Sequence, residues 1–426
     1  MNKIALEPTS GLASLSAARP RAMAPVLADR LGHWSERLLR KQLAGLQHGE
    51  LTLADGAQRH TFGRRTDRCA LSATVQVRDP RFYAETAFGG SVGAGESYMA
   101  GDWSCDDLTA LVRILLHNRA IVDGVDGGLS HVLAPMRKLL HAAARNTRDG
   151  SRRNIHAHYD VGNDFFALWL DETMMYSSAV FERPEMSLQD ASVAKLDRIC
   201  RKLQLQPGDR VLEIGTGWGG FALHAARNYG ARVTTTTISR EQHDWARERI
   251  DAAGLQDRIT LLRDDYRDLG GQYDKLVSIE MIEAVGHQYF DTFFRACSDR
   301  LKPGGTFVLQ AITIADQQYE AARDSVDFIK RHIFPGCCIP SIAALSASIA
   351  RASQLRIVGL EDIGPHYATT LAHWRGNLLR NAHRARAMGY TDAFLRMWEF
   401  YFSYCEGGFA EGALGDAQIV MTRAHG

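Results

Sequence analysis

The sequence predicts an α/β protein, a doubly wound sheet preceded by a smaller N-terminal α+β domain. Three observations carry this expectation. From Asp209 onward, β-branched runs alternate with amphipathic segments, the rhythm of strand and helix units. The first such run, VLEI, ends in the glycine loop Gly215-Thr216-Gly217-Trp218-Gly219, which leads into a helix-like segment. At 426 residues the chain is long for one domain, so two are expected, divided as 1–145 and 146–426.

Composition narrows the class. Hydrophobic residues make up 45% and charged residues 23% of the chain, as in ordinary globular proteins. The net charge of +1 gives no general attraction to polyanions, so nucleic acid is not an expected partner and any anionic surface must be met by a local patch. No apolar run approaches the ~18–20 residues that span a bilayer, and the first residues lack the apolar core of a secretion signal. Seven scattered cysteines without a CxxC pair fit a reducing, cytoplasmic setting. The adjacent Cys337 and Cys338 read best as small apolar filler.

In chain order, residues 26–46 place Leu27, Leu31, Trp34, Leu38, Leu39, Leu43 and Leu46 at three- and four-residue steps, which predicts an amphipathic helix. ELTLADG and LSATVQVRD alternate as strands. FGGSVGAGESYMAGDWSCDDLTALVRILL reads as a glycine-rich loop leading into a helix. The segment 137–153 carries six basic residues (Arg137, Lys138, Arg145, Arg148, Arg152, Arg153) against Asp149, just after an apolar set of Val132, Met136, Leu139 and Leu140. It reads equally as a surface for anionic headgroups or as a solvated connector.

In the second half, DRVLEIG, RVTTTTIS, ITLLRDD, KLVSIEM and GTFVLQAITI are strand-like, with FALHAARNYG, REQHDWARERIDAAG and YFDTFFRACSDRLKPGG between them. Ligands of such sheets sit at the carboxyl ends of the strands. The glycine spacing separates two ligand classes. A dinucleotide loop has G-x-G-x-x-G with an acid about 20 residues on; here the third glycine comes one residue early, and the second strand ends in Thr235-Thr236-Thr237-Ile238-Ser239. Nicotinamide cofactors are thereby disfavoured. His156 and His158 have metal-like spacing but no second ligand cluster, so no metal site is expected.

HYDVGNDFFALWLDETMMYSSAVFE, LEIGTGWGG, TISREQ, EMIEAVG, HIFPGCCIPS and PHYATTLAHW, in this order, resemble the cyclopropane-fatty-acyl-phospholipid synthase family over residues 152–424. The resemblance implies a Rossmann-like class I methyltransferase domain that uses S-adenosylmethionine and holds an acyl chain. Carried over by motif, it implies cofactor contacts at Tyr176, Ser177, Glu213, Gly215, Gly217, Gly219, Thr237, Gln242 and Tyr266. Gln242 both donates and accepts, so a ribose diol can be held there without a carboxylate.

The resemblance further implies a bound bicarbonate as the base. It would be held by Glu283, Tyr367, a histidine, and backbone amides near a cysteine and Ile312. Here the cysteine position is Ser178 and the histidine position is Gln310. Gln310 keeps hydrogen bonding but cannot relay a proton. The expected reaction is one-carbon transfer to a cis double bond of a phospholipid acyl chain, giving a cyclopropane; the alternatives are a 10-methylene chain, precursor of a methyl branch, and a non-catalytic lipid-binding relative. A peripheral enzyme at the inner membrane face is expected, with self-association left open.

Overall fold

The computed structural model describes residues 25–119 and 161–425, with backbone alone over 25–31. The basic segment 137–153, the apolar set before it, His156 and His158 lie outside the described residues.

The first part is mixed α and β, as expected. Helix α1 (Pro25–Leu43) is followed by β1 (Gly49–Asp55), β2 (Gln58–Arg64), β3 (Ser72–Val77), α2 (Arg81–Ala100), β4 (Trp103–Cys105) and α3 (Leu108–His117). The four strands form one sheet in the order β2-β1-β3-β4. Leu51 and Leu53 of β1 and Ala73, Val75 and Val77 of β3 point alternately into its core, the period-two pattern of the sequence.

One expectation fails here. The run FGGSVGAGESYMA is not a loop; it lies inside α2, kinked at Gly90, whose φ of 59° leaves the helical region, and Gly101 caps the helix end. Gly93 and Gly95 serve close approach. A Cβ at Gly93 would lie 2.0 Å from the Glu85 carbonyl oxygen, and one at Gly95 would lie 2.4 Å from the Phe328 ring. Glycine density therefore marks crowding around a folded-back helix, which composition alone does not distinguish from a loop.

The second part comprises, in order, α4 (Asn163–Phe166), α5 (Leu188–Leu203), β5 (Arg210–Ile214), α6 (Gly220–Tyr229), β6 (Arg232–Thr236), α7 (Arg240–Ala252), β7 (Ile259–Leu262), β8 (Tyr273–Ile279), α8 (Phe290–Arg300) and β9 (Leu301–Ile314). There follow α9 (Asp316–Asp324), α10 (Phe328–His332), α11 (Ile342–Ala352), β10 (Leu355–Asp362), α12 (Gly364–Arg380), α13 (Ala382–Ala387), α14 (Asp392–Ala410) and β11 (Leu414–Arg423). The sheet runs β10-β11-β9-β8-β5-β6-β7. Strands β5 to β9 pair in parallel, and β11 enters antiparallel between β9 and β10. The order reverses between β5 and β8, which opens a crevice at their carboxyl ends. The doubly wound expectation is met.

Helices α12 and α14 join the two parts. Trp374 and Trp398 share one hydrophobic core with Leu51, Trp103 and Ile114. The Tyr98 hydroxyl donates to Glu399 Oε2 at 2.8 Å, and Arg113 pairs with Glu411 at 2.6 Å. Close contact of α3 and α14 depends on Gly407, where a Cβ would stand 2.7 Å from Val112 Cγ1. Gly407→Val is expected to lower unfolding stability by ~1–3 kcal/mol, the cost of overpacking a filled contact. Gly270→Ala, with nothing within 4 Å of the added carbon, should leave the urea midpoint unchanged. Equal midpoints in the two variants would show that α3 and α14 are not tightly packed.

Candidate active site

A cavity of about 430 Å³ runs along the carboxyl ends of β5, β6, β7 and β8 and continues between α12, α14 and α3. Its walls differ: polar at the glycine loop, acidic at the end of β8, and elsewhere largely apolar, with Arg119, Gln318, Asp327 and Lys330 also on the lining.

At the first end, the glycine loop follows β5. Gly217 has φ 53°, and a Cβ there would meet nothing within 4 Å, so the missing side chain leaves room on the cavity wall. Gly215 (φ 102°) faces Met281, 3.2 Å from where its Cβ would be. Glu213, at the end of β5, accepts from Thr235 Oγ1 at 2.6 Å; burial raises its carboxyl to about 8. Ser239 caps α7, its hydroxyl oxygen accepting from the Gln242 backbone N–H, which fixes Gln242 at the helix start. Thr237 Oγ1 donates to Gln242 Oε1 at 2.9 Å, leaving the amide nitrogen for a ligand. Past β7, Arg267 holds Asp265 through two bonds of 2.7 and 2.6 Å and lies over the ring of Tyr266, which packs edge-on against Phe293. Tyr176 closes this end, its hydroxyl donating to that of Tyr401 at 3.1 Å.

The middle of the cavity is built on Glu280, the residue directly after β8. Its φ of 47° is unusual outside glycine and turns the side chain out of the strand direction. Glu280 Oε1 accepts from the Ser178 N–H at 2.8 Å and from Gln310 Nε2 at 2.7 Å, and Oε2 accepts from the Tyr367 hydroxyl at 2.7 Å. Glu280 is half-buried and helps form the cavity wall. Gln310 also donates to Asp416 Oδ2 at 3.0 Å, and its own oxygen accepts from Gln418 at 3.1 Å. Lys202 in turn donates to Gln418 Oε1 at 2.5 Å, so the orientation of the Gln310 amide is fixed.

Charge in this cluster is unevenly held. Burial raises both the Glu280 and Asp416 carboxyls. Glu280 is opposed by Lys195, Tyr367, Ser178 and Gln310, all of which favour its ionised form, whereas Asp416 is raised further by the Glu280 charge. Burial thus acts on both carboxyls, while donors and Lys195 oppose it at Glu280 and the Glu280 charge reinforces it at Asp416. Lys195, fully buried on α5, donates to Ser177 Oγ at 2.6 Å; burial lowers its ammonium to about 8. Glu283 accepts from the Ile312 N–H at 2.6 Å through Oε1, while its buried Oε2 has no hydrogen-bond partner. Burial, and then the Glu280 charge, raise Glu283 to about 8, so it is mostly neutral near pH 7.

The far end is lined by Phe334, Leu371, Phe409 and Leu414, with Val112 and Leu116 of α3. The N-terminal part thus supplies cavity wall. Cys337 also faces the cavity, and burial raises its thiol well above the usual range, as for inert filler.

Of the residues singled out in the sequence, Tyr176, Ser177, Glu213, Gly215, Gly217, Thr237, Gln242, Tyr266, Glu283, Ile312 and Tyr367 all lie on this wall. Three do not. Gly219 starts α6 and packs on α7, its Cβ position 3.3 Å from Ala246. Ser178 and Gln310 are fully buried behind the wall and act through Glu280. The sequence reading missed Glu280, Asp416 and Lys195. Glu280 carried a usable signal, an acid at the carboxyl end of a β-branched strand, in the same EMIEAVG motif as Glu283.

Residues 146–419 match the family model described as mycolic acid cyclopropane synthetase. The tuberculostearic acid methyltransferase UfaA1 of Mycobacterium tuberculosis is 40% identical over 342 residues, covering 78% of this chain and 79% of that protein. The cyclopropane-fatty-acyl-phospholipid synthase of Escherichia coli K12 is 38% identical over 356 residues, covering 82% and 88%. The crystal structure of mycolic acid cyclopropane synthase CmaA1 complexed with SAH and CTAB superposes with a TM-score of 0.59 at 30% identity, over 64% of this chain and 98% of that one.

The glycine-loop end yields a direct test by calorimetry with S-adenosylhomocysteine. Gly217→Val places a branched side chain at positive φ and into the ligand space, and is expected to weaken binding at least tenfold, ~1.4 kcal/mol or more. Gln242→Ala should cost less, ~0.5–1.5 kcal/mol for one hydrogen bond. Wild-type affinity in Gly217→Val would make the loop a turn and nothing more.

Proposed function

Because the chain belongs to the mycolic acid cyclopropane synthetase family, we propose that it alkylates a cis double bond in a phospholipid acyl chain, giving a cyclopropane. It is an S-adenosylmethionine-dependent methyltransferase. The observation that carries the acyl-chain reading is the single cavity that joins the glycine loop, the carboxyl cluster and an apolar end.

S-Adenosylmethionine supplies an electrophilic methyl group on a sulfonium sulfur. Gly215, Gly217 and Glu213 would hold its methionine end, and Thr237, Gln242 and Tyr266 its nucleoside. Leu371, Phe409 and Leu414 would align the acyl chain so that its double bond meets the methyl carbon, and an isolated alkene depends on such positioning to react. Exclusion of bulk water by the aromatic walls around Tyr176 protects the cation that methyl transfer leaves on the chain. Glu280 places negative charge beside that cation, and Glu283 adds a neutral carboxyl.

Gln310 favours a second product. Where a histidine would titrate, the amide cannot, and a cation that survives longer shifts hydride and ends as a 10-methylene chain. UfaA1, whose name specifies tuberculostearic acid, is among the relatives. Access to the substrate would come from a peripheral position on an anionic membrane, through the basic segment 137–153. None of the described helices is long and apolar enough to cross a bilayer.

Incubation with methyl-labelled S-adenosylmethionine and vesicles of cis-unsaturated phospholipid is expected to place label in the acyl chain. NMR of the extracted lipid separates high-field ring protons from vinylidene protons. Label confined to headgroups or small molecules would refute acyl alkylation, and binding of lipid without label transfer would favour a non-catalytic relative.

A further inference from the structure

The donors that the resemblance assigns to a bicarbonate are engaged by side chains of the protein itself. The Ser178 N–H, the Gln310 amide and the Tyr367 hydroxyl all converge on the Glu280 carboxylate, at 2.8, 2.7 and 2.7 Å. The Ile312 N–H is taken by Glu283 at 2.6 Å. Glu280 is fixed there by its own backbone, since its N–H donates to the Gln310 carbonyl at 2.8 Å and its φ is 47°. Gln310 cannot turn away, because Gln418 holds its oxygen. A free anion would have to displace a carboxylate from three donors, or lie beside its charge. The residues present do not fit bicarbonate.

Given the alkylation reading on which this rests, we infer that the Glu280 carboxylate is the built-in base of the reaction and that no bicarbonate is required. The π pair of the alkene forms the new bond to the methyl carbon as the S–CH₃ pair stays on sulfur, leaving a cation on the neighbouring chain carbon. Glu280 then takes a proton from the transferred methyl. If this happens at once, the C–H pair closes the ring; after a hydride shift the same pair forms the exocyclic double bond. In either case the proton ends on Glu280, next to Lys195 and Asp416 and open to the cavity for release with the product. Glu280 touches the reacting space, whereas Gln310, Ser178 and Asp416 position it.

The test compares wild type and Glu280→Gly in buffer stripped of carbon dioxide, with and without added bicarbonate, using the vesicle assay. The wild-type rate is expected to be unchanged by bicarbonate. Glu280→Gly opens the seat and is expected to lose ~10²-fold or more, the usual worth of a positioned base, and to recover part of that loss with bicarbonate or acetate. A second readout needs no turnover: ¹³C-labelled bicarbonate should show no bound signal with wild type and a bound signal with Glu280→Gly. Wild-type activity that disappears on stripping and returns with bicarbonate would overturn the inference, as would bound bicarbonate in the wild type. If Glu280→Gly fails to bind S-adenosylhomocysteine and is misfolded, the two wild-type measurements decide alone. Absence of label from every acyl chain would instead defeat the alkylation reading, while the bicarbonate signal still reports on the seat.

Discussion

A single carboxylate, Glu280, stands at the crevice where the strand order reverses, and elements from every part of the catalytic half hold it charged. Strand β8 delivers it, β9 supplies Gln310, the chain before α5 supplies the Ser178 amide, and α12 supplies Tyr367. Removing such a charge from water is costly unless donors and a counter-charge replace the solvent. Here three donors and the buried Lys195 do so, and the nearby Glu280 charge pushes the Asp416 carboxyl further up than burial alone. The positive φ at Glu280 is uncommon for a residue with a side chain and is held by the surrounding network.

The antiparallel strand β11 matters for the same reason. Its register sets Gln418 opposite Gln310 and Asp416 opposite Ile312, so one inserted strand both orients the amide and adds a second buried carboxyl. The parallel core then serves two purposes from one edge. Loops after β5, β6 and β7 form a polar wall suited to a nucleoside and an amino acid, while the end of β8 meets the helical layer that makes the apolar wall. The N-terminal part completes that wall through Val112 and Leu116, and its packing on α14 depends on the absence of a side chain at Gly407.

Much of this was legible in the sequence because it is local. The glycine loop, the Ser239 cap before Gln242, and the alternation of strands and helices each involve residues a few positions apart. Glu280 was within reach as well, three residues before Glu283, but the motif drew attention to the later acid. The support of Glu280 was not legible. Asp416 and Lys195 lie over a hundred residues apart from one another and from Gln310, and only the sheet order, with the packing of α5 on β9, brings them together. The glycine run in α2 misled for a related reason: glycines that admit a neighbouring ring look, in sequence, like glycines that loosen a loop.

Glu280→Gln tests the central claim most directly, because it keeps size, retains one oxygen to accept from Ser178 and Gln310 while the Tyr367 hydroxyl can turn to accept from the new amide, and removes the charge and the basicity. Methyl transfer to acyl chains should fall by ~10²–10⁴-fold, with S-adenosylhomocysteine affinity close to wild type. Near-wild-type transfer in Glu280→Gln, with affinity intact, would show that the proton goes elsewhere and that the network around Glu280 is structural.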